Sequence, residues 1–273
     1  MKHIIIGLLI GSCVFSQTLT SFEILSQSPE TENLGYGDYY LDTDGEGLLM
    51  NHFLKSGDMV FDVGGNEGDW SYYALKAQPN IQIIAFEPLP SAFTRFKERL
   101  QECSNVQPFN YALSDQKGTA EFHYYDWFDA LSGFYYRDVL RERGHPDPQV
   151  ISVQQETLDE FCVSHAISKI DFIKIDTEGA EWKVLNGARN LLKNHQVKAI
   201  QFEYGGCYVD AKTTLKQVVE LLKDNKYVIF RIIPTGLLHI SKWDPNLENF
   251  NLSNYFAIYK EDCPPEYDLV QFN

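Results

Sequence analysis

Met59-Val-Phe-Asp-Val-Gly-Gly-Asn-Glu-Gly-Asp-Trp-Ser71 is the stretch on which the reading of this chain turns. It opens on an apolar run, Met59 to Val63, broken only by Asp62. Gly64, Gly65 and Gly68 follow within five residues, and Asp69-Trp70 opens a segment of helical character. This is the pattern of a buried strand, a tight turn and a helix start. Glycine supplies the φ > 0 conformations of such a turn and lets a ligand approach the backbone. The helix start behind it offers unpaired N–H groups. A site for a nucleotide-like cofactor and a glycine-rich turn that binds nothing fit this stretch equally well, because short glycine motifs recur without function.

Working outward, the same alternation repeats. Glu46 to Lys55 suits a short amphipathic helix before the strand. Trp70 to Lys76 follows as the first crossover helix, Ile81 to Glu87 as a second strand, and Asn105 to Phe109 as a third. Pro88 and Pro90 end the second strand, with Ser91 as the candidate cap of a helix running to Leu100. Strand, helix, strand, helix, strand predicts a parallel, doubly wound α/β sheet. The alternation resumes with a helix from Thr157, a strand at Ile170 to Asp176, a helix from Glu178 to about Leu192, a strand at Val197 to Glu203 and a helix at Lys212 to Leu222. Tyr227 to Ile233 and Asn254 to Tyr259 are expected to close the sheet as an antiparallel pair. Between 119 and 155 two strands, Glu121 to Tyr125 and Ile151 to Gln155, flank a connection at 126–150 rich in aromatics and arginine. That is long for a plain loop, and a lid or substrate-binding insertion competes with a packed surface excursion.

At 273 residues with 44% hydrophobic residues, including 16 Tyr and 18 Phe, the chain can bury a large core. No internal repeat and no second domain are evident; the main domain is expected over 46–262, after an irregular lead-in at 17–45 and before a tail at 263–273. The net charge of −15 argues against nucleic acid or anionic lipid as partner. Five widely spaced cysteines suggest neither a zinc site nor a disulfide framework, and read as small buried hydrophobes. Lys2-His3 precede the apolar run Ile4 to Phe15, which is short for a bilayer span. Residues 1–16 carry features of an export signal: Val14-Phe15-Ser16 resembles a signal-peptidase site, and Ile10-Gly11-Ser12-Cys13 a lipobox. The competing reading is the buried first element of a cytoplasmic protein.

Three expected strands end in carboxylates, Glu87, Asp176 and Glu203, and Asp62 stands before the glycine turn of a fourth. Ligands of open parallel sheets bind at the carboxyl ends of the strands. Four acids there are costly unless they contact something. The dinucleotide pattern Gly-x-Gly-x-x-Gly fails, because Asn66 and Asp69 occupy two of its glycine positions, and no Gly-Lys-Ser/Thr follows the strand. Acids at every tip also disfavour a triphosphate. Glu87, 25 residues after Asp62, stands where an acid accepts ribose hydroxyls. S-adenosylmethionine, a phosphate-free nucleoside with a sulfonium and an ammonium, meets these constraints.

The resemblance then emerges from several segments together: Gly57-Asp-Met-Val-Phe-Asp-Val-Gly64 with Asn66 and Gly68, Phe86-Glu-Pro88, Asn110 to Asp115 with Gly118, Thr157-Leu-Asp159, and Ile170 to Glu181. The chain resembles the FkbM family of S-adenosylmethionine-dependent methyltransferases over roughly 46–260, and Lys174-Ile-Asp-Thr-Glu-Gly-Ala-Glu181 is the most specific segment. Gly65 stands where the family usually has alanine, and Glu67 where it has an aliphatic residue. The signal-like N-terminus is the larger departure, since the cofactor is made in the cytoplasm. The resemblance implies a class I methyltransferase (Rossmann-like) fold, a seven-stranded, mainly parallel sheet with helices on both faces, and O-methylation of a sugar or small-molecule hydroxyl. Carried over, Asp62, Gly64, Asn66 and Gly68 would hold the methionine part, Glu87 the ribose, and Ser114 with Asp115 would lie beside the adenine.

Asp176 is the first candidate for a base that activates the acceptor hydroxyl, with Glu178 and Glu203 next. These acids could instead orient substrate, or, for Glu178 and Glu181, cap the following helix. A divalent metal on Asp176 and Glu203 is chemically possible but nothing in the spacing calls for it. His123, His145 and His239 carry no assigned role. The rival readings are a cofactor-binding protein without catalysis and a glycan-modifying transferase of another class. The Asp-x-Asp such transferases use occurs only as Asp42-Thr43-Asp44, in the lead-in.

Overall fold

A computed structural model describes residues 44–264 and the short strand β1 (Glu23–Leu25). The signal-like residues 1–16, most of the lead-in and the tail beyond 264 lie outside the described residues. No described helix is long and apolar enough to cross a membrane.

α1 (Glu46–Phe53) leads into β2 (Met59–Val63), followed by α2 (Asp69–Ala77), β3 (Gln82–Phe86), α3 (Pro90–Arg99) and β4 (Val106–Phe109). β5 (Ala112–Ser114), β6 (Gly118–Tyr124), α4 (Asp138–Glu142) and β7 (Gln149–Thr157) form a subsidiary region. The main alternation continues through α5 (Leu158–Ser164), β8 (Ile170–Ile175), α6 (Glu181–Asn186), α7 (Arg189–Lys193), β9 (Val197–Tyr204), α8 (Cys207–Ala211) and α9 (Leu215–Asp224). It ends with β10 (Tyr227–Ile233), β11 (Gly236–His239) and β12 (Ser253–Tyr259).

The main sheet runs β1-β11-β10-β12-β9-β8-β2-β3-β4. Strands β2, β3, β4, β8 and β9 are parallel, and β12 inserts antiparallel between β9 and β10. The expected class I order is present, with the antiparallel closing pair as read from the sequence. Among the described residues the sheet has nine strands rather than seven, because β11 and β1 extend it beyond β10. A second sheet, β5-β7-β6, pairs the two strands around the connection, which spans 125–148.

The central parallel strands are largely apolar because both their faces are covered, with Asp62, Lys174 and Gln201 among the buried polar exceptions. Phe61 and Val63 of β2 and Ile173 and Ile175 of β8 pack with Phe161, Val184 and Leu215 on one side, while Val60 and Phe172 pack with Leu49, Trp70 and Phe96 on the other. Two local readings are corrected. Ser91 does not cap α3: Leu89 is its N-cap, and Pro90 occupies the first turn, where a missing N–H costs nothing. The helix expected from 178 to 192 is two short helices broken at Gly187, where a Cβ would stand 2.0 Å from the Ser114 carbonyl oxygen. Thr157 does cap α5, its hydroxyl accepting from Glu160 N–H at 3.2 Å.

Candidate active site

β2 pairs with β3 on one side and β8 on the other, so chain order reverses across it. The crevice at such a switch point is where open α/β sheets bind ligands. The glycine turn roofs it. Gly64 and Gly65 both donate N–H to the Phe86 carbonyl, at 2.9 and 3.0 Å. Gly64 has φ +83°, and a Cβ there would lie 1.7 Å from the Asp176 carbonyl oxygen. The turn can therefore close onto β8 only with glycine. At Gly65 a Cβ would meet the Phe96 ring edge at 2.9 Å, so this chain's Phe96 fills the space that an alanine would need. Asn66, at φ +44°, donates its N–H to Glu87 Oε2 at 2.8 Å. Gly68, at φ +84°, is the N-cap of α2.

The acids at the strand ends gather around a cavity of about 420 Å³. Glu87 is buried, and Leu89 N–H donates to its Oε1 at 2.7 Å. Burial pushes it up to about 7, against the pull of these two backbone donors. Each oxygen keeps acceptor capacity for a hydroxyl donor. Asp176, at the end of β8, faces the cavity with Lys174 Nζ 3.2 Å from its Oδ2. Lys174 also lies 3.7 Å from Asp62 Oδ1. Burial would lower this lysine, but Asp176, Asp62 and Glu46 outweigh it and hold it above the ordinary lysine value. Asp62 is fully buried behind the turn. Its Oδ2 accepts from Ser71 Oγ at 2.6 Å, while Oδ1 has no hydrogen-bond donor.

Glu178 stands at φ +54°, a left-handed conformation rarely adopted by a side-chain-bearing residue. Burial raises it to about 7, and the Arg137 guanidinium opposes the rise. Glu203, at the end of β9, is raised well above the ordinary value by burial and by Asp176, Glu178 and Glu181. Glu46 enters from α1, accepting from Gln201 and Asn254, and burial and Asp44 raise it likewise. Glu181 turns inward to its own turn: Oε1 accepts from Thr177 N–H at 2.7 Å and Thr177 Oγ1 at 2.9 Å. It ties the β8–α6 turn rather than capping the following helix as the sequence allowed; α6 has Ala180 as N-cap and no side-chain cap.

The insertion supplies the remaining wall through Asp129, Ala130, Ser132 and Phe134, and β6 adds Phe122. Arg95 of α3 ties the two rims together, donating from Nε to Glu67 Oε1 at 2.6 Å and from a terminal nitrogen to Asp129. Among the described residues the lining holds nine carboxyl groups, namely Asp44, Glu46, Glu67, Asp69, Glu87, Asp129, Asp176, Glu178 and Glu203, against one lining cation, Lys174; Glu67, Asp69 and Asp129 are paired to Arg95 or Arg99 at the rim. That field suits a cationic ligand without phosphate.

Of the residues read from the sequence, Gly64, Asn66, Glu87, Asp176, Glu178 and Glu203 line this one cavity. Asp62 and Gly68 lie behind its wall and shape it. Ser114 and Asp115 do not line it. Ser114 is fully buried, its hydroxyl 3.2 Å from Asp115 Oδ1 and its carbonyl against Gly187; Ala112 and Leu113 take the lining position instead. None of His123, His145 and His239 lines the cavity. Sequence reasoning missed Glu46, Asn254 and Arg137, because their neighbours are far away in the chain. Lys174 stood in the most specific motif, and its spacing two residues before Asp176 on a strand puts both on one face.

Glu178, Glu203 and Cys207 bring one ligand atom each within 4.8 Å of one another. The donor set does not favour a metal ion: one Glu178 oxygen already accepts from Arg137, and burial with the surrounding acids holds Cys207 well above the ordinary thiol value.

The methyltransferase FkbM domain model matches residues 62–229. The chain is 26% identical over 188 residues to the 2-O-methyltransferase NoeI of Sinorhizobium fredii, covering 64% of this chain and 74% of that protein. It is 26% identical over 195 residues to the hexuronic acid methyltransferase AglP of Haloferax volcanii, covering 67% and 74%. It is 27% identical over 168 residues to the 31-O-demethyl-FK506 methyltransferase FkbM of Streptomyces tacrolimicus, covering 50% and 62%. The switch-point cavity, its acid-tipped strands and this match agree, and the chain belongs to the FkbM family of S-adenosylmethionine-dependent methyltransferases.

Proposed function

We propose that this protein methylates a hydroxyl of a sugar or a sugar-like small molecule, with the switch-point cavity holding both cofactor and acceptor. The observation that carries this reading is the ring of carboxyl groups at the ends of three parallel strands, β3, β8 and β9, around one cavity, with the one lining cation among the described residues already paired. S-adenosylmethionine, when bound, supplies a methyl group on a sulfonium, which an attacking oxygen takes with release of the neutral thioether. Glu87 would accept the ribose hydroxyls, and the backbone from Gly64 to Asn66 would bracket the methionine part. Asp62 would act from behind the wall, fixing Ser71 and Lys174. Ala112, Leu113 and Phe122 offer the apolar surface for the adenine.

The acceptor half falls to Asp176, Glu178 and Glu203. Asp176 is engaged by Lys174 and suits orientation. Glu203, whose carboxyl is pushed up by burial and by Asp176, Glu178 and Glu181, can hydrogen-bond the substrate hydroxyl. Glu178 titrates near 7 and is the proposed base, taking the proton as the oxygen attacks. Alignment of oxygen, methyl carbon and sulfur is the larger contribution to rate. Relatives named for a 2-O position and for hexuronic acid support a sugar-like acceptor. The acid-lined cavity offers a phosphate backbone nothing, so nucleic acid is not proposed.

At a ligand concentration about a hundred times Kd, binding adds about 2.7 kcal/mol to stability. S-adenosylmethionine should therefore raise Tm by roughly 5–10 °C, and a nucleotide sugar should not. Absence of that shift in a folded sample sinks the reading. Methyl transfer from labelled cofactor to defined mono- and oligosaccharides, uronic acids included, then finds the acceptor and excludes a binding-only protein.

A further inference from the structure

Besides the Arg95–Asp129 pair, a second side chain joins the insertion to the site. Arg137, just before α4, is 9% exposed. Its guanidinium donates to Glu178 Oε2 at 2.5 Å, and its Nε lies 3.4 Å from Asp210 Oδ2 of α8. Its backbone N–H donates to the hydroxyl of Tyr125 at 2.8 Å. Tyr125, 1% exposed, stands at the start of the insertion. Gly133 of the same segment lies so close that a Cβ would be 3.3 Å from Glu178 Cβ. The charged and titratable groups around Glu178 are Arg137 from the insertion, Lys174 and Asp176 from β8, Glu181 from α6, Glu203 from β9, and Cys207 and Asp210 from α8. Among the ion pairs of the described residues, Arg137 is the cation bonded to Glu178. Lys174 is turned to Asp62 and Asp176.

We propose that Arg137 is the positioning residue of this site: by docking, the insertion brings a guanidinium to Glu178, pairs its carboxyl group and keeps it aimed into the cavity, and so completes the acceptor side. The proposal deepens the methyl-transfer reading by naming what arms its base. A bidentate-capable guanidinium, rather than a point charge, suits a contact shared between Glu178 and Asp210. It also explains how a residue at φ +54° keeps one orientation, since Gly133 and Arg137 fix it from two sides.

The test titrates Glu178 directly by NMR of protein labelled with carboxyl-13C glutamate, assigned by the loss of one resonance in Glu178→Gln. In the unaltered protein Glu178 is expected to titrate near 7. In Arg137→Met the midpoint should rise by at least about one unit, a tenfold gain in proton affinity, and Arg137→Lys should fall between. Amide exchange across 126–136 should quicken at least about tenfold in Arg137→Met and in Glu178→Gln, with β2 and β8 unchanged. An unchanged Glu178 midpoint in Arg137→Met overturns the proposal. If that variant does not fold, unchanged exchange of the insertion in Glu178→Gln overturns it instead. Neither measurement uses cofactor or acceptor, so a failure here is distinguishable from a failure of methyl transfer.

Discussion

Gly57 and Gly64 share a left-handed backbone, φ +90° and +83°, but not their surroundings. A Cβ on Gly57 meets nothing within 4 Å; on Gly64 it meets the Asp176 carbonyl at 1.7 Å. Gly57→Ala is expected to cost only the backbone strain, about 1–2 kcal/mol by urea unfolding. Gly64→Ala forces β2 and β8 apart and should cost more than about 4 kcal/mol or abolish folding. Equal losses at the two positions would contradict this account of the turn. The need for a glycine was legible from spacing alone. Its reason was not, because Asp176 lies more than a hundred residues away. Arg137 illustrates the same limit: nothing near it in sequence foretells Glu178.

At the scale of elements, the ends of β3 and β8 carry carboxyls that titrate near 7, Glu87 and Glu178. A bound sulfonium and ribose hydroxyls favour their ionised forms, so binding should release protons below neutrality. Affinity for S-adenosylmethionine should rise with pH up to about 7, by at most about tenfold per unit for each group, and level off above it. Calorimetry in buffers of differing ionisation heat reads the released protons; Glu87→Gln should remove part of them. An affinity that falls between pH 6 and 7.5 would contradict this. The acid-tipped strands were readable because each ends an apolar run in one carboxylate. The three-residue β5 and four-residue β11 were not, since such short stretches carry no periodicity. The break at Gly187 reflects contact with Ser114 from another sheet, which propensity cannot encode.

For the whole molecule, Glu46, Glu87, Glu178, Glu181 and Glu203 are all held above the ordinary glutamate value of 4.5, burial being the largest cause each time. The folded state thus binds more protons than the unfolded chain between about 4.5 and 7. The stability these groups contribute is present below 4.5 and lost as pH rises through 7. A net charge of −15 acts in the same direction. The cofactor-free protein should therefore have a higher Tm at pH 5.5 than at pH 8, and S-adenosylmethionine should narrow that gap by stabilising more at pH 8. Glu203→Gln should raise Tm at pH 8 and leave it nearly unchanged at pH 5.5. A cofactor-free Tm that climbs from pH 5.5 to pH 8 would overturn this.

The β4 edge of the main sheet adds one more property. Ile83 N–H donates to the Asn105 carbonyl and Glu87 N–H to that of Phe109, so the odd-numbered backbone of β4 faces β3 and the even-numbered backbone faces outward. Pro108 stands in that outward row without an N–H. A foreign strand laid along β4 would find the donor missing at the centre of a four-residue edge. Growth of the sheet from one molecule into the next is thus disfavoured at this edge.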